Sequence, residues 1–146
     1  FGIGMNNYVE ETHHVAHNSF VHAFVELGLF GGIMFVGVYY YAISQLWSLR
    51  KQQELIEDDQ LVRLRPFLLA VFCGEVVGLM SISRCYILPT YMLLGIGAVY
   101  LSLVSRSPGV VVADFGRKTI VRLTQVGLLV LVALYAYTKY KLRLSG

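Results

Sequence analysis

Charged residues are scarce in this chain. Asp, Glu, Lys and Arg together make up 14% of the sequence, whereas 56% is hydrophobic. Several runs with little or no charge approach the roughly 20 residues that a helix needs to cross a bilayer. This excludes an ordinary soluble domain and predicts an all-α, multi-pass transmembrane helix bundle.

Cysteine and proline are also rare, with two and three residues respectively. Cys73 and Cys85 would lie about 18 Å apart along a helix, too far for a disulfide, so we interpret both as packing residues. Pro66 is predicted to occupy the first turn of its span, and Pro89 also falls early in a span. Internal repeats, low-complexity segments and nucleic-acid motifs are absent from the sequence, and the basic residues flank apolar runs.

Hydropathy divides the chain into alternating loops and spans. The first helix is predicted to begin above the hydrocarbon with polar residues and then to cross it. The predicted segments are the end of an outer loop (1–18), the first helix (19–49), a charged cytoplasmic loop (50–65), a transmembrane hairpin (66–104), a second cytoplasmic loop (105–118), a fourth span (119–138) and a tail (139–146).

The distribution of Lys and Arg sets the expected orientation. Four such residues flank the spans around the loop 50–65, which the positive-inside rule places in the cytoplasm. His17 then lies on the outer, periplasmic side of the membrane. Strict alternation also puts the basic tail 139–146 outside, against the same rule. Either the tail is outside or one span is misplaced, and the sequence leaves both alternatives open.

A polar cluster meets an apolar helix at His17 and Asn18, which are followed by Gly28 and Gly31. Asn18 or Ser19 is a plausible N-cap for the helix that follows. Titratable groups therefore lie at the mouth of a membrane span. Such a site suits a substrate with a polar head and a lipid tail.

This pattern resembles the signature of the O-antigen ligase and O-antigen polymerase superfamily: His-Asn, nine residues, Gly, two residues, Gly. The run-in Phe1-Gly2-Ile3-Gly4 and the hydrophobic spans downstream extend the resemblance. It implies a glycosyltransferase of the bacterial inner membrane that requires no metal or other cofactor. The donor would be a glycan on polyprenyl pyrophosphate, and the acceptor a lipid A core or another glycan. It also implies the C-terminal part of a longer protein, expected to be inactive alone, with membrane lipids but no nucleic acid as partners.

The resemblance makes His17 the catalytic candidate, since the matching histidine is considered essential in the family. A histidine at a helix start can act as a general base, and the free amides there suit a pyrophosphate. Asn18, His22 and Arg84 are candidate substrate-binding residues, Arg84 because a guanidinium can bind two phosphate oxygens at once. The family's best-known arginines lie in an upstream outer loop, so Arg84 is a candidate by location alone.

Each candidate also has a structural interpretation. His17 could be a solvated loop residue, and Arg84 an interfacial anchor. His22 and Glu26 share a helical face with Asn18, which either points into the site or forms an interfacial polar stripe. Gly28 and Gly31 are interpreted as architectural, allowing close helix approach.

A second function class remains open: a histidine-based transporter or metal-handling protein. Histidines 13, 14 and 17 invite this hypothesis, together with Glu75, because a carboxylate within a span usually faces the bundle interior or a cavity. Arg122, in the fourth span, is interpreted as a structural residue that snorkels to the cytoplasmic surface.

Overall fold

A computed structural model describes residues 2–4, 7, 18–82, 86–114 and 116–144, the side chains of residues 138 and 141–144 excepted. The described chain is all-α, which confirms the predicted fold class. Its helices are α1 (Ser19–Ser48), continued by a 3₁₀ helix (Leu49–Leu55), α2 (Asp59–Ser81), α3 (Leu88–Val104) and α4 (Arg117–Leu144).

Three helical stretches are long and apolar enough to cross a membrane: Ser19–Leu55, Asp59–Ser81 and Arg117–Tyr137. The fourth apolar helix, α3, has 17 residues, or about 25 Å at 1.5 Å per residue. Many large hydrophobic side chains are exposed on these helices, among them Phe30, Phe67 and Leu88. Apolar exterior surfaces of this kind are typical of a membrane protein.

The helix α2 begins earlier than the sequence predicted. Asp58 caps it by accepting a hydrogen bond from the Gln60 amide at 2.8 Å, so the helix starts at Asp59. Pro66 consequently lies inside the helix, and its predicted place in the first turn is wrong. The charged loop is shorter than predicted because the 3₁₀ helix and the start of α2 occupy most of it.

The turn between α1 and α2 is built around Arg65, which is 7% exposed. Its Nη1 donates to the Leu46 carbonyl at 3.3 Å. With the Gln53 amide oriented to satisfy both groups, its side-chain oxygen accepts from Nε at 2.9 Å and from Nη2 at 2.8 Å. The sequence placed Arg65 in the charged cytoplasmic loop. In the structure its guanidinium is buried and links α2 to α1 and to the 3₁₀ helix.

The helix α1 lies at the centre and contacts each of the other three. Glycines let the helices approach closely at three points. A Cβ on Gly37 would meet the Leu123 side chain at 3.4 Å, one on Gly127 would meet Ile33 at 3.0 Å, and one on Gly97 would meet the Phe72 ring at 2.6 Å. These small residues define the α1–α4 and α2–α3 interfaces.

The connection from α3 to α4 is held against α1 by side chains. Tyr41 donates its hydroxyl to the Ala113 carbonyl at 2.7 Å, and the Ala113 amide donates to Gln45 Oε1 at 2.9 Å. Gln52 makes two further bonds to the backbone of Val111, at 2.7 and 3.1 Å. The helix α4 then continues through most of the predicted tail, as far as Leu144.

Cys73 is exposed on α2, so its predicted packing in the core is wrong. Cys85 lies outside the described residues.

Candidate functional site

Asn18 begins α1 as its N-cap, as the sequence predicted. Its backbone is extended, with φ −156° and ψ 112°, and its side-chain oxygen accepts from the amides of Phe20 at 2.9 Å and Val21 at 3.1 Å. Asn18 therefore satisfies two of the first amides of the helix itself. This corrects the expectation that these amides are free for a pyrophosphate. His17, the residue before the cap, lies outside the described residues.

The helix α1 is broken at Gly28, where φ is 73° and ψ is −172°. An unbroken helix would join the carbonyls of Val25 and Glu26 to amides four residues later. At this break the Ile3 amide donates to Val25 O at 3.0 Å, and the Gly4 amide donates to Glu26 O at 3.1 Å. Because unpaired backbone carbonyls are costly when they are buried, the N-terminal segment 2–4 supplies the donors that the broken helix lacks.

Gly2 is needed for this docking, because a Cβ there would collide with the carbonyl group of Glu26 and the amide nitrogen of Gly28. Gly2, Ile3 and Gly4 of the run-in thus meet the part of α1 around Gly28. Sequence reasoning found the run-in and Gly28 but not their contact. The glycine spacing was the signal, since glycine permits close backbone approach.

Gly31 and Gly32 make room for side chains of α1 itself. A Cβ on Gly31 would collide with the Leu27 side chain, and one on Gly32 with the Phe24 ring. Side chains from before the break therefore lie over the backbone after it. The expectation that Gly28 and Gly31 allow close approach between helices is corrected, because Gly28 meets the N-terminal segment at the break and Gly31 contacts a side chain of α1 itself.

His22 and Glu26 form a buried pair on the first part of α1. His22 Nε2 lies 2.8 Å from Glu26 Oε1, and the side chains are 11% and 0% exposed. Of the two interpretations, the burial of both side chains favours the inward-facing one over an interfacial polar stripe. A buried carboxylate costs several kcal/mol unless it is paired, so His22 fixes Glu26 as much as Glu26 orients the imidazole.

The connection between α2 and α3 contacts the same turn of α1. Ser19 donates its hydroxyl to the Ile82 carbonyl at 2.5 Å, and the Tyr86 ring meets the His22 ring edge-on at 5.6 Å between centroids. Ile82 and Tyr86 flank the segment 83–85, which contains Arg84 and lies outside the described residues. Tyr86 was missed by sequence reasoning because an aromatic residue at a span end is expected as an interfacial anchor.

Glu75 has a hydrogen-bond partner on the neighbouring helix. Thr90 donates its hydroxyl to Glu75 Oε1 at 3.2 Å, and the Tyr39 hydroxyl donates to the Thr90 carbonyl at 3.4 Å. Glu75 is partly buried, while Thr90 is fully buried. The three residues join α1, α2 and α3, which agrees with the expectation that an intramembrane carboxylate faces the bundle interior.

The arrangement brings Asn18, His22 and Gly28 together at one end of the bundle, beside the flanks of the α2–α3 connection. The histidines of the metal hypothesis, 13, 14 and 17, lie outside the described residues. Within the described part of the chain, no group of three potential metal ligands comes together. No known protein family, curated protein or solved structure matches this chain.

Chemically, this end offers a capped helix start, a buried histidine–carboxylate pair and a helix break to which the N-terminal segment 2–4 is hydrogen-bonded. The amides of Phe20 and Val21 are occupied, so an anionic group brought here would need cationic side chains. A histidine held directly before the cap would have a fixed backbone on its C-terminal side. These properties suit the positioning of a hydroxyl nucleophile near a membrane surface.

Proposed function

We propose that this chain belongs to a membrane glycosyltransferase of the O-antigen ligase or polymerase type, acting at the outer face of the bacterial inner membrane. The donor is a glycan linked to polyprenyl pyrophosphate, and the acceptor is a lipid A core or another glycan. The observation that carries the proposal is the docking of the run-in at a motif glycine: the segment 2–4 bonds to α1 beside Gly28, where the helical segment that Asn18 begins is broken.

In this reaction the acceptor hydroxyl attacks the anomeric carbon of the donor. His17 accepts the hydroxyl proton as a general base, a new C–O glycosidic bond forms, and the bond from the anomeric carbon to the pyrophosphate oxygen breaks. The polyprenyl pyrophosphate leaves with the electron pair. All atoms are supplied by the two substrates, and no cofactor enters.

The diphosphate must be held by side chains, since Asn18 already occupies the amides of Phe20 and Val21. A guanidinium suits this task because its fork binds two oxygens together. Arg84 is the candidate within this chain, because Ile82 and Tyr86 on either side of its segment contact the first turn of α1. His22 has the role of a positioning residue, paired with Glu26.

The test is glycan transfer by the full-length protein in lipid bilayers, with a lipid-linked glycan donor, a lipid A core acceptor and a chelator present. We expect His17→Ala to abolish transfer, a loss of at least about 100-fold for a general base. His13→Ala is the matched control, since His13 lies in the same polar segment outside the motif, and it should retain activity.

The products separate the possible outcomes. Transfer to the core identifies a ligase, and longer carrier-linked chains without core transfer identify a polymerase. Undiminished transfer by His17→Ala would rule out the catalytic role of His17. A folded parent protein that makes no glycan product would overturn the proposal as a whole.

A further inference from the structure

A basic cavity lies at the opposite end of the bundle, between α1 and the start of α4. Its volume is about 460 Å³, and Tyr40, Arg117, Lys118 and Arg122 are among its lining residues. Its lining residues on α1 begin at Tyr40, about 33 Å from Asn18 along the helix at 1.5 Å per residue. The glycosyl-transfer site therefore does not account for it.

The charge balance of this cavity favours an anion. Three cationic side chains line it, against the single carboxylate of Asp114. Arg117 and Lys118 stand at the start of an apolar span, and Arg122 follows about one turn later on the same helix. Basic residues at the start of a span lie at the level of lipid headgroups, where they are attracted to an anionic surface.

The cavity is also a built structure. Tyr41 and Gln45 fix the backbone of Ala113 on one wall, and Thr119 donates its hydroxyl to the Asp114 carbonyl at 2.9 Å. These bonds hold the connection before α4 in place. Ala113 and Asp114, which line the cavity, are therefore tied to α1 and to the start of α4.

An apolar cavity adjoins this one through Tyr40, which lines both. It has a volume of about 240 Å³, lies between α1, α2 and α4, and is bordered by Ile43, Val130 and Leu134. The basic cavity can hold the headgroup of a phospholipid, and the apolar cavity next to it can hold an acyl chain. A soluble anion would use only the first.

We propose that the basic cavity binds the phosphate headgroup of an anionic phospholipid, with an acyl chain entering the apolar cavity beside Tyr40. Arg117, Lys118 and Arg122 neutralise the headgroup. This lipid holds the start of α4 against α1. The inference stands apart from the proposed glycosyl transfer, because it uses different residues at the other end of the bundle.

The test is lipid binding to the full-length protein, delipidated in detergent and titrated with phosphatidylglycerol or phosphatidylcholine, with bound lipid counted by native mass spectrometry. We expect preferential binding of phosphatidylglycerol. The triple variant Arg117→Gln, Lys118→Gln, Arg122→Gln should weaken it about tenfold, allowing for screening of exposed charges. The matched control removes the same charge outside the cavity, through Arg50→Gln, Lys51→Gln and Arg106→Gln, and should change binding by less than about threefold.

Further measurements distinguish binding of a lipid from binding of free phosphate and test whether charge at Arg122 is required. Inorganic phosphate should not displace the lipid, and displacement at equal concentration would overturn the lipid assignment. Arg122→Lys retains the charge and should retain binding. Val130→Trp, which fills the apolar cavity, should reduce phosphatidylglycerol binding. Equal weakening by the cavity triple and the control triple, in variants with unchanged circular dichroism spectra, would overturn the proposal.

Discussion

Glu26 Oε1 lies 2.8 Å from His22 Nε2, one helical turn away, and the Glu26 side chain is completely buried. The pair lies just before the break at Gly28, and His22 follows three residues after Ser19, which contacts Ile82. It therefore couples the helix start, the break and the α2–α3 connection. A buried pair of this kind contributes most to specifying one arrangement of these elements.

Separating this pair should be strongly destabilising. His22→Leu removes the imidazole that pairs with the buried Glu26 carboxylate and should lower the free energy of unfolding by about 3–5 kcal/mol. Glu26→Gln removes the charge and should cost less. Thermal unfolding of both variants and the double variant in detergent gives a double-mutant cycle, in which we expect a coupling of about 1–3 kcal/mol. Additive effects would mean that the two side chains act independently.

Gly28→Ala should destabilise the protein by about 1–3 kcal/mol. At φ 73° and ψ −172° the backbone is in a region that residues with a Cβ rarely adopt. Gly74→Ala is the matched control, since a Cβ at Gly74 would meet no atom within 4 Å, and it should be neutral or slightly stabilising. Unfolding in detergent compares the two variants. Equal tolerance of both would contradict the broken helix.

Gly97→Ala should weaken the α2–α3 interface, because its Cβ would lie 2.6 Å from the ring of the fully buried Phe72. Overpacking of this kind costs about 1–3 kcal/mol. Gly95→Ala, on the same helix but facing open space, controls for the gain in helix propensity. A difference in unfolding midpoint between these two variants measures the packing effect. Its absence would show that Phe72 moves without cost.

Arg65→Lys should destabilise the turn between α1 and α2, even though the charge is kept. A lysine cannot reproduce the guanidinium fork that reaches both Leu46 and Gln53. Loss of one or two charge-assisted hydrogen bonds should cost about 1.5–3 kcal/mol. Arg63→Lys, at an exposed position on the same helix, should have little effect on the unfolding midpoint. If both variants unfold alike, the buried contacts of Arg65 carry no stability.

Predictions from the sequence were good for features that depend on neighbouring residues alone. Asn18 before an apolar run predicted the N-cap, and hydropathy predicted four apolar helices. Pro66 misled the prediction of α2, because proline is common in a first turn, yet Asp58 supplies a cap eight residues earlier. The capping geometry outweighed the proline preference.

Contacts between distant segments were beyond local reasoning. The spacing of His22 and Glu26 predicted a pair but not its burial, which depends on Tyr86 and the α2–α3 connection packing over it. From the sequence, Gly28 was interpreted as a residue that allows close helix approach. Its backbone conformation depends on the amides of Ile3 and Gly4, which replace the missing helical donors to the carbonyls of Val25 and Glu26.

The sequence by itself determined that this chain forms apolar helices of membrane-spanning length, because the scarcity of charge and the length of its apolar runs are properties of each segment alone. It also placed the helix start at Asn18 or Ser19, and the structure shows that Asn18 is the cap. Only the tertiary structure decided where α1 breaks, which polar groups are buried and which glycines join helices. Those outcomes depend on which carbonyls, cations and side-chain volumes meet across the bundle, and residues far apart in the chain supply them.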